Sequence, residues 1–308
     1  ETLYSERDLT AYLGGGGSAM HNACIPIAEK NQVPYLAVSF ALYSIHQQGY
    51  QYLFSPFPKS PAQAEDVFKI LNDAIPEGER PTKVAMFMYN DDWGKEWTAL
   101  AQQFAPEYGY EIVVLEEAPV GVNDWTDAII KAMNAGAETL LTMPIFPDGS
   151  GMIKTMAELG WTPKFSLVIR APEGVNWGQD LGTIGDYVTI FPGWHHAANF
   201  EGVDRLNERY QELYGRPADL LAGPAYALVQ ILAQAIEEAG TLDKEVLRDT
   251  IAAGSFDTVI GPVTFNEDGT GNVLDPLIQW IDGEMQLVWP PEHASAELVY
   301  PAPPFEER

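Results

Sequence analysis

The sequence predicts an α/β protein of two lobes, each a mostly parallel sheet flanked by helices. Three observations carry that reading. Strand-like and helix-like segments alternate along most of the chain, and repeated β-then-α units build parallel sheets covered by helices on both faces. The length of 308 residues exceeds one ordinary domain, so two lobes are the natural division. The buried strand segments run into loops rich in aromatic and polar residues, and in open parallel sheets ligands bind beyond the carboxyl ends of the strands.

Taken in order, Leu9 to Leu13 reads as a strand that runs into Gly14-Gly15-Gly16-Gly17-Ser18. Glycines permit a tight turn and close backbone approach, and Ser18 is placed as the N-cap of the helix that follows. The free N–H groups of that helix start, with the serine hydroxyl, form an anion or carboxylate site. The same five residues also have the composition of a flexible linker. Their place between a strand and a helix favours a native loop. Val33 to Val38 and Tyr50 to Phe54 read as strands. Pro61 to Ile75 has helical spacing, with Ala64, Val67, Phe68 and Leu71 on one face.

Lys83 to Tyr89 is a buried strand, followed by a helix through Phe104. Glu111 to Leu115, Thr139 to Met143, Phe165 to Ile169 and Tyr187 to Phe191 read as further strands. Trp125 to Ala135 and Met152 to Leu159 read as helices. Val203 to Tyr214, Gly223 to Ala239 and Lys244 to Ala252 are helical. Val263 to Phe265, Leu277 to Ile281 and Met285 to Val288 are strands, with Asp282-Gly283 marking a hairpin turn.

Composition narrows the function. Seventeen basic against forty-four acidic residues leave a net charge of −27, which repels nucleic acid and anionic lipid. No apolar run reaches the roughly eighteen residues of a membrane span. A single cysteine, Cys24, excludes an intramolecular disulfide and a cysteine zinc cluster, and it reads as a small buried core residue.

The strand-end loops hold the candidate chemistry. They are Asn90-Asp91-Asp92-Trp93-Gly94, Pro144-Ile145-Phe146-Pro147, Arg170-Ala171-Pro172-Glu173 and Gly193-Trp194-His195-His196. Aromatics with one arginine suit a small ligand that carries a carboxylate and an apolar body. Each aromatic taken singly serves lobe packing equally well. Asp91-Asp92 fits metal or general-base work, but a loop start of this kind favours a helix N-cap. His195 and His196 are neighbours and do not share a helix face as zinc pairs do. A Gly-x-Ser-x-Gly elbow, a Walker lysine loop and a dinucleotide fingerprint are all missing. No cofactor is implied, and binding is favoured over catalysis.

Several blocks, in this order, carry a family resemblance: Pro26-Ile27-Ala28-Glu29-Lys30-Asn31-Gln32-Val33-Pro34, Gly49-Tyr50-Gln51-Tyr52, Tyr89 to Gly94, Glu212-Leu213-Tyr214-Gly215-Arg216-Pro217, Ala225-Tyr226-Ala227, and Thr258 to Phe265. The chain resembles the type I periplasmic solute-binding proteins of branched-chain amino acid ABC transporters. The resemblance implies a hinged clamp with chain crossings near Pro56, Pro192 and Phe265. The expected segments are 1–56 and 193–265 for the N-lobe, and 57–192 and 266–308 for the C-lobe and tail. It implies carboxylate contacts from Ser18 and from Ser39, Phe40 and Ala41, with Trp93 and Phe146 as covers. Trp194 joins them from its strand-end loop.

Where amino-acid binders carry an acidic residue for the ammonium, this chain offers Arg170, with Glu173 three residues on. That departure suits an extra carboxylate, or an acid without an amine. The family also starts with a strand, a helix and a strand ahead of this point, so at least about 30 residues of the N-lobe are expected to be missing from this chain. The implied function is capture of a small carboxylate-bearing solute and delivery to an ABC permease, in the periplasm or outside the cell, with a lipid anchor on the missing N-terminus left open. The alternative is a ligand-sensing module of a receptor with the same clamp. An enzyme is a distant third.

Overall fold

A computed structural model describes residues 2–174 and 176–308. The chain forms two units: the segment through Ser60 with Gly193–Asp275, and Pro61–Pro192 with Pro276–Arg308. In chain order the first unit opens with α1 (Thr2–Glu6), β1 (Tyr12–Gly16), α2 (Ser18–Lys30), β2 (Tyr35–Ser39) and β3 (Leu53–Phe54). Next come α3 (Ser60–Ala74), β4 (Lys83–Tyr89), α4 (Asp92–Glu107), β5 (Glu111–Ala118), α5 (Thr126–Ala135) and β6 (Thr139–Thr142). They are followed by α6 (Phe146–Leu159), β7 (Phe165–Val168), α7 (Asn176–Leu181) and β8 (Thr189–Ile190). The chain then adds α8 (Val203–Tyr214), α9 (Ala222–Ala239), α10 (Lys244–Ala253), β9 (Ser255–Thr258), β10 (Gly261–Phe265) and β11 (Gly271–Asn272) to the first unit. Strands β12 (Leu277–Ile281) and β13 (Glu284–Trp289) complete the second.

In the first unit β1, β2 and β3 form a parallel sheet, with Tyr12 opposite Tyr35 and Gly16 opposite Ser39. A small antiparallel sheet, β11-β10-β9, accompanies it. The core here gathers Leu36, Phe54, Trp194, Leu228, Ile231, Phe256 and Val263. In the second unit seven strands lie in the order β13-β12-β8-β7-β6-β4-β5. The run from β8 to β5 is parallel, and β12 and β13 are antiparallel additions. Its core is built on Phe87, Trp125, Ile129, Leu140, Met152 and Trp177.

The apolar face expected on α3 is buried: Ala64, Val67, Phe68 and Leu71 are all fully enclosed. Burial of a side chain the size of Phe68 or Leu71 contributes about 1.5–3 kcal/mol, which explains why this helix is legible from spacing alone. Asp282 and Gly283 both adopt positive φ, 52° and 78°, as a two-residue hairpin turn with the twist of its strands requires.

Several expectations shift. The first strand is displaced toward the glycines, Tyr12–Gly16 instead of Leu9 to Leu13, so three glycines belong to the strand itself. A Cβ on Gly15 would stand 2.3 Å from His21 Cε1 and 2.8 Å from Tyr35 Oη; the strand passes too close to both rings to carry a side chain. Ser18 is the first residue of α2 and Gly17 is its cap, at φ 79°. Helix α6 begins at Phe146 instead of Met152, with proline in its first turn, where the missing N–H is not needed. Cys24 is only partly buried. Strands β9 and β11 had no sequence expectation. The pairing of β11 with β10, Phe265 opposite Gly271, keeps the chain in the first unit beyond Phe265, as far as Asp275.

Candidate functional site at the strand ends

In the first unit, β1 and β2 are neighbours and parallel, so their carboxyl ends lie side by side. The Gly17 N–H donates to the Ser39 carbonyl at 2.8 Å. That bond brings the start of α2, with Ser18, against the exit of β2, with Ser39. Both serines keep part of their surface in solvent. Phe40 is 2% exposed and Ala41 6%, so neither offers its side chain to solvent.

The cluster around Phe40 escaped the sequence reading. Lys59, buried, donates to the Phe40 carbonyl at 2.8 Å and to Ser55 Oγ at 2.7 Å. Its ammonium stands 3.9 Å from the centre of the Phe40 ring. The His21 ring lies 4.6 Å from the same ring, and the His46 ring stacks on it at 5.3 Å. His21 Nδ1 bonds the Tyr35 hydroxyl at 3.0 Å, and His46 Nδ1 bonds the Asp268 carbonyl at 2.7 Å. Burial, and then the Lys59 charge, push His21 down to about 4 and His46 to about 3, with the Asp268 carbonyl pulling the latter back. Both imidazoles are neutral at neutral pH, and neither Nε2 has a hydrogen-bond partner among the described residues. The cluster is assembled from five separated chain segments, and no local pattern marks it.

In the second unit, Asp91 caps α4 by accepting from the Gly94 N–H at 2.8 Å, as its position in sequence suggests. A Cβ on Gly94 would fall 1.8 Å from the Tyr89 carbonyl; only glycine fits. The cap sets Trp93 on the first turn, and the Arg170 guanidinium lies 5.8 Å from its ring, within cation–π range. Arg170 is exposed and has φ 83°, a conformation that costs a non-glycine residue about 1–3 kcal/mol. Glu173 is partly buried; desolvation pushes its carboxyl up to about 7, against the pull of Arg170. The Tyr89 hydroxyl bonds the Asp148 carboxylate and receives the Ile145 N–H at 3.1 Å, which fixes the turn ahead of Phe146. Phe146 is half-buried against the second core.

Trp194 departs from its expected place. It is 2% exposed, its indole N–H donates to the Val259 carbonyl at 2.9 Å, and its ring lies flush on Gly223, where a Cβ would be 2.3 Å away. It is a core residue of the first unit. The neighbouring rings of His195 and His196 lie 4.2 Å apart, and His195 Nδ1 accepts the Ala197 N–H at 3.1 Å. Among the described residues no cluster of three metal-ligating side chains is present, and no helix is long and apolar enough to cross a membrane.

Residues 1–283 match the sequence model of a family described as periplasmic binding protein. The chain belongs to that family. It is 22% identical over 249 residues to the leucine-, isoleucine-, valine-, threonine-, and alanine-binding protein of Pseudomonas aeruginosa, covering 79% of this chain and 64% of that one. The binding protein thus spans a little under two thirds of that relative. A leucine-binding protein of Thermotoga maritima superposes with a TM-score of 0.82 at 19% identity, covering 92% and 80% of the two chains. A solute-binding protein of an ABC transporter from Rhodopseudomonas palustris, solved with 3,4-dihydroxybenzoic acid, gives 0.75 at 16% identity, covering 92% and 78%. The fold is that of type I periplasmic binding proteins, with a mostly parallel sheet flanked by helices.

Proposed function

We propose that this binding protein captures a small carboxylate-bearing solute outside the cytoplasm and delivers it to an ABC permease, a hinge-closed form being the state the permease reads. The observation that carries this reading is the junction of Gly17 with Ser39, which puts a helix start and two serines at adjacent carboxyl ends of parallel strands. That is where such sheets take ligands, and a helix start favours an anion. Ser18, Ser39 and the backbone of Phe40 and Ala41 hold the carboxylate. Trp93, Phe146 and Arg170 supply apolar cover and a second positive charge. The protein does no chemistry on its solute.

Arg170 bears on which solute. An exposed guanidinium beside an indole suits a second carboxylate or an aromatic acid better than the ammonium of a simple amino acid. The relatives support both classes: the named ligands are leucine-type amino acids in one group and a dihydroxybenzoic acid in another. A thermal-shift screen of leucine, isoleucine, valine, aromatic acids and dicarboxylates, followed by calorimetry, tests the reading. A stabilising hit with micromolar affinity is expected, and Arg170→Ala weakens a ligand with a second carboxylate tenfold or more, about 1.4 kcal/mol. A screen with no hit in any of the three classes overturns it.

A further inference from the structure

Two consecutive residues, Lys59 and Ser60, hold the carbonyls through which the chain leaves β2. The Lys59 ammonium binds the Phe40 carbonyl and Ser55 Oγ, at 2.8 and 2.7 Å. The Ser60 N–H and hydroxyl both donate to the Ala41 carbonyl, at 2.8 and 2.9 Å. A trans peptide holds its C=O and the following N–H in opposite directions. Turning the Phe40 and Ala41 carbonyls toward Lys59 and Ser60 therefore turns the Ala41 and Leu42 N–H groups away from them.

The geometry points to Lys59 as a positioning residue that ties the exit of β2 to Ser55 beyond β3 and so sets the direction of the donor groups in the Ser39–Ala41 turn. Its role for a ligand rests on the function proposed above; the tie itself does not. Two further contacts hold the arrangement in one state. His21 and His46 stand against the Phe40 ring, so the Phe40 side chain and its Cα are held in place. Ser55 is itself fixed, its N–H donating to the Gly269 carbonyl and its carbonyl accepting the Gly271 N–H, each at 2.9 Å. The far end of the tie is therefore a rigid point.

Packing alone does not call for an ammonium here. Methionine keeps the lysine stem and its packing while removing the ammonium from the Phe40 carbonyl and Ser55 Oγ, so the loss it causes is that of the two hydrogen bonds. That difference makes the two roles separable. Lys59→Met, Lys59→Arg, Ser55→Ala and the Lys59→Met/Ser55→Ala double variant are compared by hydrogen exchange of the ligand-free protein, by thermal melting, and by calorimetry with L-leucine. Lys59→Met is expected to keep a single cooperative melt, to exchange at least tenfold faster across residues 39–42 with β4 and β6 unchanged, and to bind leucine at least tenfold more weakly. Lys59→Arg restores part of the protection. Ser55→Ala moves the same segment in the same direction, and adding it to Lys59→Met changes nothing more.

Parental exchange across 39–42 in Lys59→Met, or additive effects of the two substitutions, would overturn the assignment. If Lys59→Met does not fold, Ser55→Ala decides alone, because it leaves Lys59 and the turn chemically intact; unchanged exchange then removes the tie. If the parent protein itself takes up no leucine, leucine is not its solute and the screen above decides the proposed function, while the exchange data still decide the role of Lys59.

Discussion

Lowering the pH from 7 to 5 should move the stabilities of the two units in opposite directions. His21 and His46 are fully enclosed and neutral in the first unit, their affinities for a proton depressed to about 4 and about 3 by burial and by Lys59. The unfolded chain binds that proton near 6.5 and the folded chain does not. Stability is therefore complete above about pH 6.5 and is lost as the pH falls toward the folded value. Integrated to pH 5, each histidine removes about 2 kcal/mol from the first unit.

Glu173, in the second unit, runs the other way. Its folded value near 7 exceeds that of a free glutamate, so the folded state holds the proton more tightly. Acidification to pH 5 relieves a penalty of up to about 2 kcal/mol, less whatever solvent contact its partly buried side chain retains. The assay is hydrogen exchange followed separately in β2 and in β6 at both pH values, on the parent, His46→Gln and Glu173→Gln. The parent should lose protection in β2 on acidification, and His46→Gln should lose about 2 kcal/mol less. Equal pH slopes in the parent and His46→Gln would refute the assignment of the acid sensitivity to the Phe40 cluster.

Three further outcomes follow from the packing. Gly15→Ala places a methyl 2.3 Å from the His21 ring at φ 92° and should destabilise the first unit by at least about 1–3 kcal/mol, read by denaturant unfolding. Asp91→Ala removes the cap that accepts the Gly94 N–H and should lower stability by about 1 kcal/mol, with Asp91→Asn largely restoring it. Trp194→Ala should lose about 3–5 kcal/mol by the same measurement. Trp194→Phe should retain any solute affinity, and a selective loss of affinity there would return Trp194 to the ligand site.

Much of the fold was legible because its helices and strands are written in burial. Lys83–Tyr89 and Leu277–Ile281 stand where their patterns put them, since almost every residue of each is buried, and Val203–Tyr214 does so on the narrower stripe of Val203, Leu206 and Tyr210. The Asp91 cap was readable because capping is decided within four residues. The glycine strand was not, because strand patterning is a property of side chains and β1 has almost none; its pairing with β2 comes mostly from backbone. Short strands such as β9 and β11 carry too few residues for a period. The site divided along the same line. Trp93 and Arg170 come together from the ends of β4 and β7, which flank β6 in the sheet, a placement topology supplies. Lys59, His21 and His46 meet only because three separate segments converge on Phe40, and no spacing announces that. Trp194 looked like a ligand aromatic for the converse reason: sequence shows the residue but not Gly223 beneath it.

The glycine tract also affects how strand alignment is specified. A one-residue slip in an ordinary strand is resisted because it turns every side chain to the wrong face. Gly14, Gly15 and Gly16 present no faces to exchange. Side-chain contacts that mark the alignment of β1 are few: Tyr12 stacked on Tyr35 at 5.0 Å and the Tyr35 hydroxyl on the Gly14 carbonyl at 3.4 Å, with Gly17 bonded to Ser39 at the far end. A glycine added or removed inside the tract would leave the middle of the strand indifferent and would move the start of α2 relative to Ser39. Changes in tract length would thus reset the Gly17–Ser39 junction, on which the proposed solute turn rests, without redesign of the core.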